Sequence, residues 1–246
     1  MVKEESDKMY SFKGRVRYSE TDKDGKLTLE SMIDYFQDCS TFHSESLGFG
    51  IDYLKEQHMV WVLSAWQIVI EDCPKLCDEI EIGTFPYDFK GFFGMRNFFL
   101  CAEDGNYLAR ANSLWTLLNT ETGRPVRPTA EMVAGYALEP RLDMDYAPRK
   151  IEIPEHGKKQ EEILVKSHHI DSNNHVNNGQ YVRIAMEYLP EGFTIRQMRA
   201  EYKKQAVLHD VIIIIAYEQD NRHTIALCNE DEEPYAVVEF TGGRNT

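Results

Sequence analysis

The sequence predicts an α+β protein, and three observations carry that prediction. An aspartate-rich loop runs into an amphipathic helix twice, once around Asp22 and once around Asp171. Each helix is followed by a strand, a turn and a second strand. The two copies also hold register. Asp22 pairs with Asp171 and Asp24 with Asn173 (171 − 22 = 149), whereas Asp78 pairs with Asp210 (210 − 78 = 132), so the first copy carries the longer insertions. A shared order of elements at steady offsets reads as an internal duplication.

In chain order, the first helix is expected over about Leu29–Leu47. A strand follows over Val60–Ile70, with Val60, Val62, Trp66, Ile68 and Ile70 on one face, and another from Asp78 through Thr84. Gly91–Cys101 and Tyr107–Asn119 read as long strands joined by the turn at 102–106, and Thr120 to Pro125 makes a further turn. Residues 139–162 contain Pro140, Pro148 and Pro154 among many charges and read as a linker. That places one unit at 1–138 and the other at 163–246. In the second unit, Tyr181, Ile184, Ala185, Tyr188 and Leu189 mark a helix; strands are expected at Ile195–Gln205, Asp210–Ala216, Thr224–Cys228 and Tyr235–Phe240.

Composition narrows the function. With 42% hydrophobic and 11% aromatic residues the 246-residue chain can bury a real core. Its 27 basic against 41 acidic residues give −14, which argues against nucleic acid as the main partner. The first eight residues lack the apolar core of a signal peptide, and the longest aliphatic run, Val211–Ala216, is far too short to span a bilayer; a cytoplasmic protein without membrane attachment is expected. Cysteines 39, 73, 77, 101 and 228 read as free thiols, since Cys73 and Cys77 have no second pair to complete a zinc site.

The chemistry concentrates at 170–181, Ile-Asp-Ser-Asn-Asn-His-Val-Asn-Asn-Gly-Gln-Tyr. Asp171, Asn173 and His175 stand at alternate positions just before a helix start. Neutral imidazole can take a proton from water near neutral pH, which suits His175 as a general base. Asn173 can position water or hydrogen-bond a carbonyl, and Asp171 can orient a partner or stabilise imidazolium. Backbone N–H groups near Asn177–Gly179 can receive an oxyanion. The plainer reading is that Asp171 and Asn173 only cap the loop and helix. Other chemistries fit less well. The chain has no Gly-x-Ser-x-Gly elbow and no phosphate-binding glycine loop. Val176 stands where a calcium loop needs glycine. His168 and His169, adjacent in an extended segment, would point to opposite faces, so no metal is expected.

The Asp-x-Asn-x-His-Val-Asn-Asn segment resembles that of the acyl-acyl carrier protein (acyl-ACP) thioesterases of plant plastids and bacteria. The resemblance extends from about Phe12 to Phe240 and is also visible at Trp61–Asp78 and Trp115–Pro128. It implies a double hot-dog fold, two tandem units each built as a long helix wrapped by an antiparallel sheet; the periodicity alone supports only α+β. It further implies thioester hydrolysis carried by His175, Asn173 and Asp171, without metal or organic cofactor, on a fatty acyl group borne by an acyl carrier protein. The family carries an acidic residue on the strand after the helix, followed in plant members by cysteine. Aligning Ala200–Lys204 with that strand puts Gln205 at the acidic position and Ala206 at the cysteine. Gln205 cannot act as a base but can orient water or polarise the carbonyl, and direct attack by water is favoured over a thiol nucleophile.

Lys26 falls opposite His175, so the first copy keeps the scaffold without the base. It is expected to hold the acyl chain, with Met32, Phe36, Trp61, Leu63 and Trp66 as pocket candidates or as ordinary core. Arg196, Arg199, Lys203 and Lys204 form a basic cluster close to the site in sequence, suited to a phosphopantetheine phosphate or an acidic carrier, or to a solvated strand face. The rival readings are an acyl-CoA thioesterase using the same residues and a hot-dog protein that binds acyl groups without turnover. Both a monomer and a homodimer are compatible with two units in one chain.

Overall fold

The computed structural model describes residues 9–171 and 173–244. The first eight residues, read above for a signal sequence, lie outside the described residues. The chain separates into two compact units within the strand Met59–Ile70 and again after Asp145. The first unit runs through Leu63 and resumes at Glu71–Asp145; the second takes Ser64–Ile70 and the chain from Tyr146.

In the first unit, strands β1 (Tyr10–Arg15), β3 (Glu79–Lys90), β4 (Phe93–Ala102) and β5 (Tyr107–Asn119) pair antiparallel in the order β1-β3-β4-β5, and β2 (Met59–Ile70) starts here. The long helix α1 (Leu29–Ser46) lies against β1 and β3, and two short helices, α2 (Ile51–Glu56) and α3 (Ala130–Gly135), follow in sequence. Thr28 caps α1, its hydroxyl accepting the Ser31 N–H at 3.2 Å. The helix buries Leu29, Met32, Ile33, Tyr35, Phe36, Cys39, Ser40 and His43, a stripe recurring every three to four residues. Gly83 leaves room for a ring. A Cβ there would lie 2.0 Å from the Phe99 ring, so the glycine makes room for an aromatic that a larger residue would displace.

In the second unit, the later part of β2 pairs with β7 (Phe193–Tyr202) from Ala65 to Val69. From β7 the sheet continues antiparallel through β10 (Pro234–Arg244), β9 (Arg222–Cys228) and β8 (Val211–Gln219) to β6 (Lys158–Leu164). Helix α4 (Asn178–Met186) lies against β9 and β10. One helix against an antiparallel sheet in each unit is the α+β arrangement expected.

The particulars differ in four places. Helix α4 has nine residues, not the long helix expected; Tyr188 and Leu189 fall in a turn, because Pro190 disfavours helical backbone at the residue before it. Strand β7 ends at Tyr202, so Gln205 lies in the following loop. The two N–H groups after it, of Lys203 and Lys204, both turn to the Tyr235 carbonyl (2.8 and 3.2 Å), which closes the ladder. Strand β6 begins at Lys158, inside the stretch read as a linker. Within β2, Ala65, Trp66, Gln67 and Ile68 are all buried, so both faces are covered there instead of the one that alternation suggested.

Part of the stretch read as a linker is also held, within the second unit, by buried polar groups. Gln67 Oε1 accepts the Ala147 N–H (2.9 Å) while its Nε2 donates to Gln197 (2.9 Å). Glu201, 4% exposed, accepts the Ile151 N–H at 3.1 Å. Arg199 donates to Glu239 at 2.9 Å and to the carbonyls of Pro148 and Lys150. Removing one partner of a buried ion pair leaves an uncompensated charge. Glu239→Ala is therefore expected to destabilise the protein by about 3–5 kcal/mol, read as a lower urea midpoint, together with faster proteolysis within 146–151.

Candidate active site

The loop at 170–177 is built by one carboxylate. Asp171 Oδ1 accepts the N–H groups of Asn173 (2.8 Å) and His175 (3.3 Å), while the Asp171 N–H donates to the His175 carbonyl at 2.8 Å. Asn174 takes a left-handed backbone (φ 62), a conformation that asparagine tolerates. Ile170 and Val176 bridge the loop's base. Asn177 then caps α4, its side chain accepting the Gly179 N–H at 2.8 Å.

The first unit repeats this loop bond for bond. Asp22 Oδ1 accepts the N–H groups of Asp24 and Lys26 (both 2.9 Å), and the Asp22 N–H donates to the Lys26 carbonyl at 2.8 Å. Gly25 (φ 73) stands for Asn174, the Thr21–Leu27 bridge for Ile170–Val176, and Thr28 for Asn177 as helix cap. A 3-10 turn precedes each loop, at Tyr18–Glu20 and at Ser167–His169. The junctions beyond match as well: Val16 donates to Asp78 O and Val165 to Asp210 O, while Leu27 donates to Pro74 O and Val176 to Ala206 O. Both offsets read from the sequence, 149 and 132, hold in these bonds.

The structure thus brings Asp171, Asn173 and His175 into one closed loop. Asp171 spends its carboxylate on the loop backbone, the capping role that the plainer reading gave it. Asn173 is exposed. His175 is partly buried, and its ring Nδ1 is buried without a hydrogen-bond partner among the described residues. A buried imidazole nitrogen left unpaired is costly in a purely structural role and suits a group that meets a ligand or water. Gln205 is exposed, but its neighbour Ala206 is pinned to the loop: its carbonyl accepts the N–H of Val176, next to His175, at 2.9 Å. The helix start is less open than expected, since the Asn177 N–H donates to His169 O and the Gly179 N–H to the Asn177 side chain.

Two tyrosines that sequence periodicity assigned no site role hold this arrangement. Tyr181 OH accepts the Ala206 N–H at 2.9 Å, and Tyr202 OH donates to the Asn178 carbonyl at 3.0 Å, their rings 6.0 Å apart. Burial pushes both phenols up, which keeps them neutral. Tyr181 looked like any apolar position of an amphipathic helix; nothing in the spacing marks its hydroxyl. His168 and His169 are not extended. They sit in the 3-10 turn with rings 4.1 Å apart, and His169 Nδ1 accepts the Lys166 N–H at 3.1 Å. Burial, with His168 and Lys166 beside it, lowers the His169 pKa.

Of the expected pocket residues, Met32, Phe36 and Leu63 are buried and Trp61 is partly buried in the first unit, with Phe36 5.3 Å from Phe98 and Trp61 6.1 Å from Phe89 between ring centres. Trp66 is buried and belongs to the second unit. In the basic cluster, Arg199 is committed to Glu239 and two carbonyls, which leaves its guanidinium engaged within the fold. Lys203 and Lys204 are exposed and pair with Glu201 and Glu233; Arg196 also has interactions within the structure.

The comparisons with known proteins cover both units. Residues 7–136 match the model of the acyl-ACP thioesterase N-terminal domain, and residues 153–236 that of the C-terminal domain. A chloroplastic acyl-[acyl-carrier-protein] hydrolase of Cuphea viscosissima is 24% identical over 215 residues, covering 80% of this chain and 51% of the relative. The chloroplastic oleoyl-acyl carrier protein thioesterase 2 of Arabidopsis thaliana is 26% identical, covering 82% of this chain and 61% of the relative. The chain therefore spans only about half to three-fifths of the length of these relatives. Among solved structures, an acyl-ACP thioesterase from Bacteroides thetaiotaomicron superposes with a TM-score of 0.89 at 22% identity, covering 96% of this chain and 98% of that one. The 12:0-ACP thioesterase of Umbellularia californica gives 0.85 at 19% identity, covering 97% and 98%. These likenesses carry the fold, the tandem hot-dog arrangement. With family models matched across both units, the chain belongs to the acyl-ACP thioesterase family.

Proposed function

We propose that this protein hydrolyses the thioester of a fatty acyl group carried on acyl carrier protein, releasing the free acid and the carrier thiol. The observation that carries the reading is His175: an imidazole with a buried Nδ1 that has no partner among the described residues, on a loop closed by Asp171, in a chain of this family.

In the proposed mechanism His175 takes a proton from water as the water attacks the thioester carbonyl, and returns it to the departing thiol sulfur. Asp171 acts through the backbone: it fixes the loop that presents His175. Asn173 positions the water or donates to the carbonyl. Gln205, an amide able to donate and to accept, orients the same water from the adjoining loop. Ala206 occupies the place of a plant cysteine, so water attacks directly. The groups assigned here need no metal or cofactor. Met32, Phe36, Trp61 and Leu63 line the acyl chain in the first unit. Lys203 and Lys204 meet the phosphopantetheine phosphate or the acidic carrier; Arg199 is left to its structural role. The reading places the enzyme in the cytoplasm, as a monomer or homodimer.

Release of free thiol from matched acyl-ACP and acyl-CoA substrates tests this. Wild type is expected to turn over and to prefer the carrier-linked substrate. His175→Ala should lower kcat by roughly 10²–10⁴-fold with an unchanged melting temperature. Preference for CoA would move the assignment to the acyl-CoA rival. Binding of acyl-ACP without thiol release would establish the non-catalytic one.

Asp171→Ala separates scaffold from chemistry. It should lower both kcat and stability, the latter by about 1–3 kcal/mol, because two loop N–H groups lose their acceptor. Asp22→Ala should cost similar stability while leaving kcat within about threefold, since Asp22 closes a loop that has no histidine. Equal loss of kcat in both variants would show that Asp171 acts only through global stability.

Charge reversal of Lys203 and Lys204 should raise KM for acyl-ACP while sparing a short free thioester, and the effect should shrink as salt rises. Equal effects on both substrates would remove these lysines from carrier recognition.

A further inference from the structure

The first unit buries a cation that nothing in the described chain neutralises. Arg96 on β4 is 8% exposed. Its Nη1 donates to His43 Nδ1 at 2.9 Å and to Thr84 Oγ1 at 3.2 Å, both neutral acceptors. Its charge lies 5.5 Å from the centre of the Tyr136 ring. Its Nε and Nη2 donors have no partner among the described residues, and no carboxylate there pairs with it. His43 cannot share the charge: burial, with Arg96 beside it, pushes its pKa down to about 3, so it stays neutral and accepts. A guanidinium is always protonated, and its planar fork fits the two oxygens of a carboxylate. Buried without an anion, it is an expensive choice for packing alone.

The surroundings define what the anion is attached to. Along the buried stripe of α1, apolar Met32, Ile33 and Phe36 give way to Cys39, Ser40 and His43, so the helix meets Arg96 at its polar end. Tyr136, beneath the guanidinium, belongs to an apolar cluster with Phe49, Met59, Leu117 and Met132, packed by Trp61 and Phe89. A charged head beside a buried apolar and aromatic cluster matches the chemistry of an amphiphile.

We infer that Arg96, with Thr84 and His43 around it, is a carboxylate subsite in the first unit, and that it takes a free fatty acid, head on the guanidinium and tail on the Tyr136 cluster. A fatty acid is also the product class of the proposed hydrolysis; the inference rests on that reading for the source of the acid, not for the site. Occupancy of this site would give a released acid a place in the first unit.

Calorimetric titration with decanoate, decanol and acetate tests it without any turnover. Wild type should bind decanoate at least tenfold more tightly than decanol, and acetate far more weakly than decanoate. Arg96→Met should bring decanoate and decanol within about threefold of each other, and Arg96→Lys should fall between. His175→Ala should keep the wild-type preference. Equal binding of decanoate and decanol by wild type would overturn the inference, as would a preference that survives in folded Arg96→Met. So would a preference lost in His175→Ala, which would put the carboxylate at the catalytic loop. If Arg96→Met fails to fold, wild type and Arg96→Lys decide by the side-chain Nε–H resonance of Arg96, identified by its loss in the lysine variant. It should shift with decanoate and not with decanol, and the reverse sinks the proposal. Absence of thioesterase activity leaves every one of these readings intact.

Discussion

A short loop that enters a helix without strand partners must still find acceptors for its own N–H groups. In this protein one aspartate oxygen meets that demand in each unit, and the local geometry follows from it. Because Asp171 Oδ1 takes the N–H groups of Asn173 and His175, the chain has to reverse over five residues, and Asn174 has to accept a left-handed backbone. The reversal brings Ile170 against Val176, and Val176 can then donate to Ala206. That last bond ties the loop to the segment after β7, while Asn177 is left at the right place to cap α4. The position of the histidine is a consequence of a hydrogen-bond requirement, met before any chemistry is considered.

The duplication separates scaffold from function in a way one copy alone cannot. Asp22 makes the same bonds as Asp171, yet the residue in the histidine's place is Lys26, an exposed side chain. Bonds present in both copies are therefore structural. The proposed chemistry rests on the differences: histidine for lysine at the end of the loop, amide for carboxylate at Asn173 against Asp24, and Gln205 beside Ala206 where the first copy has Cys73 beside Pro74.

Much of this was legible in the sequence because it is local. Loop, helix cap and turn residues announce themselves by type and spacing, and the offsets of 149 and 132 appear again as matched hydrogen bonds. What was not legible depends on partners distant in sequence. The stretch from 139 reads as a linker because prolines and charges look the same whether solvated or clamped; its order comes from Gln67, Arg199 and Glu201, which strand alternation would have left facing water. Gln205 was drawn into a strand because nothing in its neighbours says that Lys203 and Lys204 share one carbonyl. The shortness of α4 was written in Pro190, yet the apolar period ran past it.

Arg96 shows the same limit at its sharpest. A basic residue within a strand reads as solvent-facing, and only the packed structure reveals it beneath a helix with neutral neighbours. The second unit shows what ordinary compensation looks like: Glu239 meets Arg199 and Arg222, and Glu201 meets Arg149, Lys203 and the Ile151 N–H. In that unit each of these buried carboxylates is answered from within the chain, which is how a fold keeps a charge that serves only itself. A buried cation with donors to spare departs from that pattern. The two copies thus differ twice over on one scaffold: one unit has an imidazole at its loop and answers Glu201 and Glu239 from within the chain, while the other has Lys26 at that place and holds Arg96 with no carboxylate partner among the described residues.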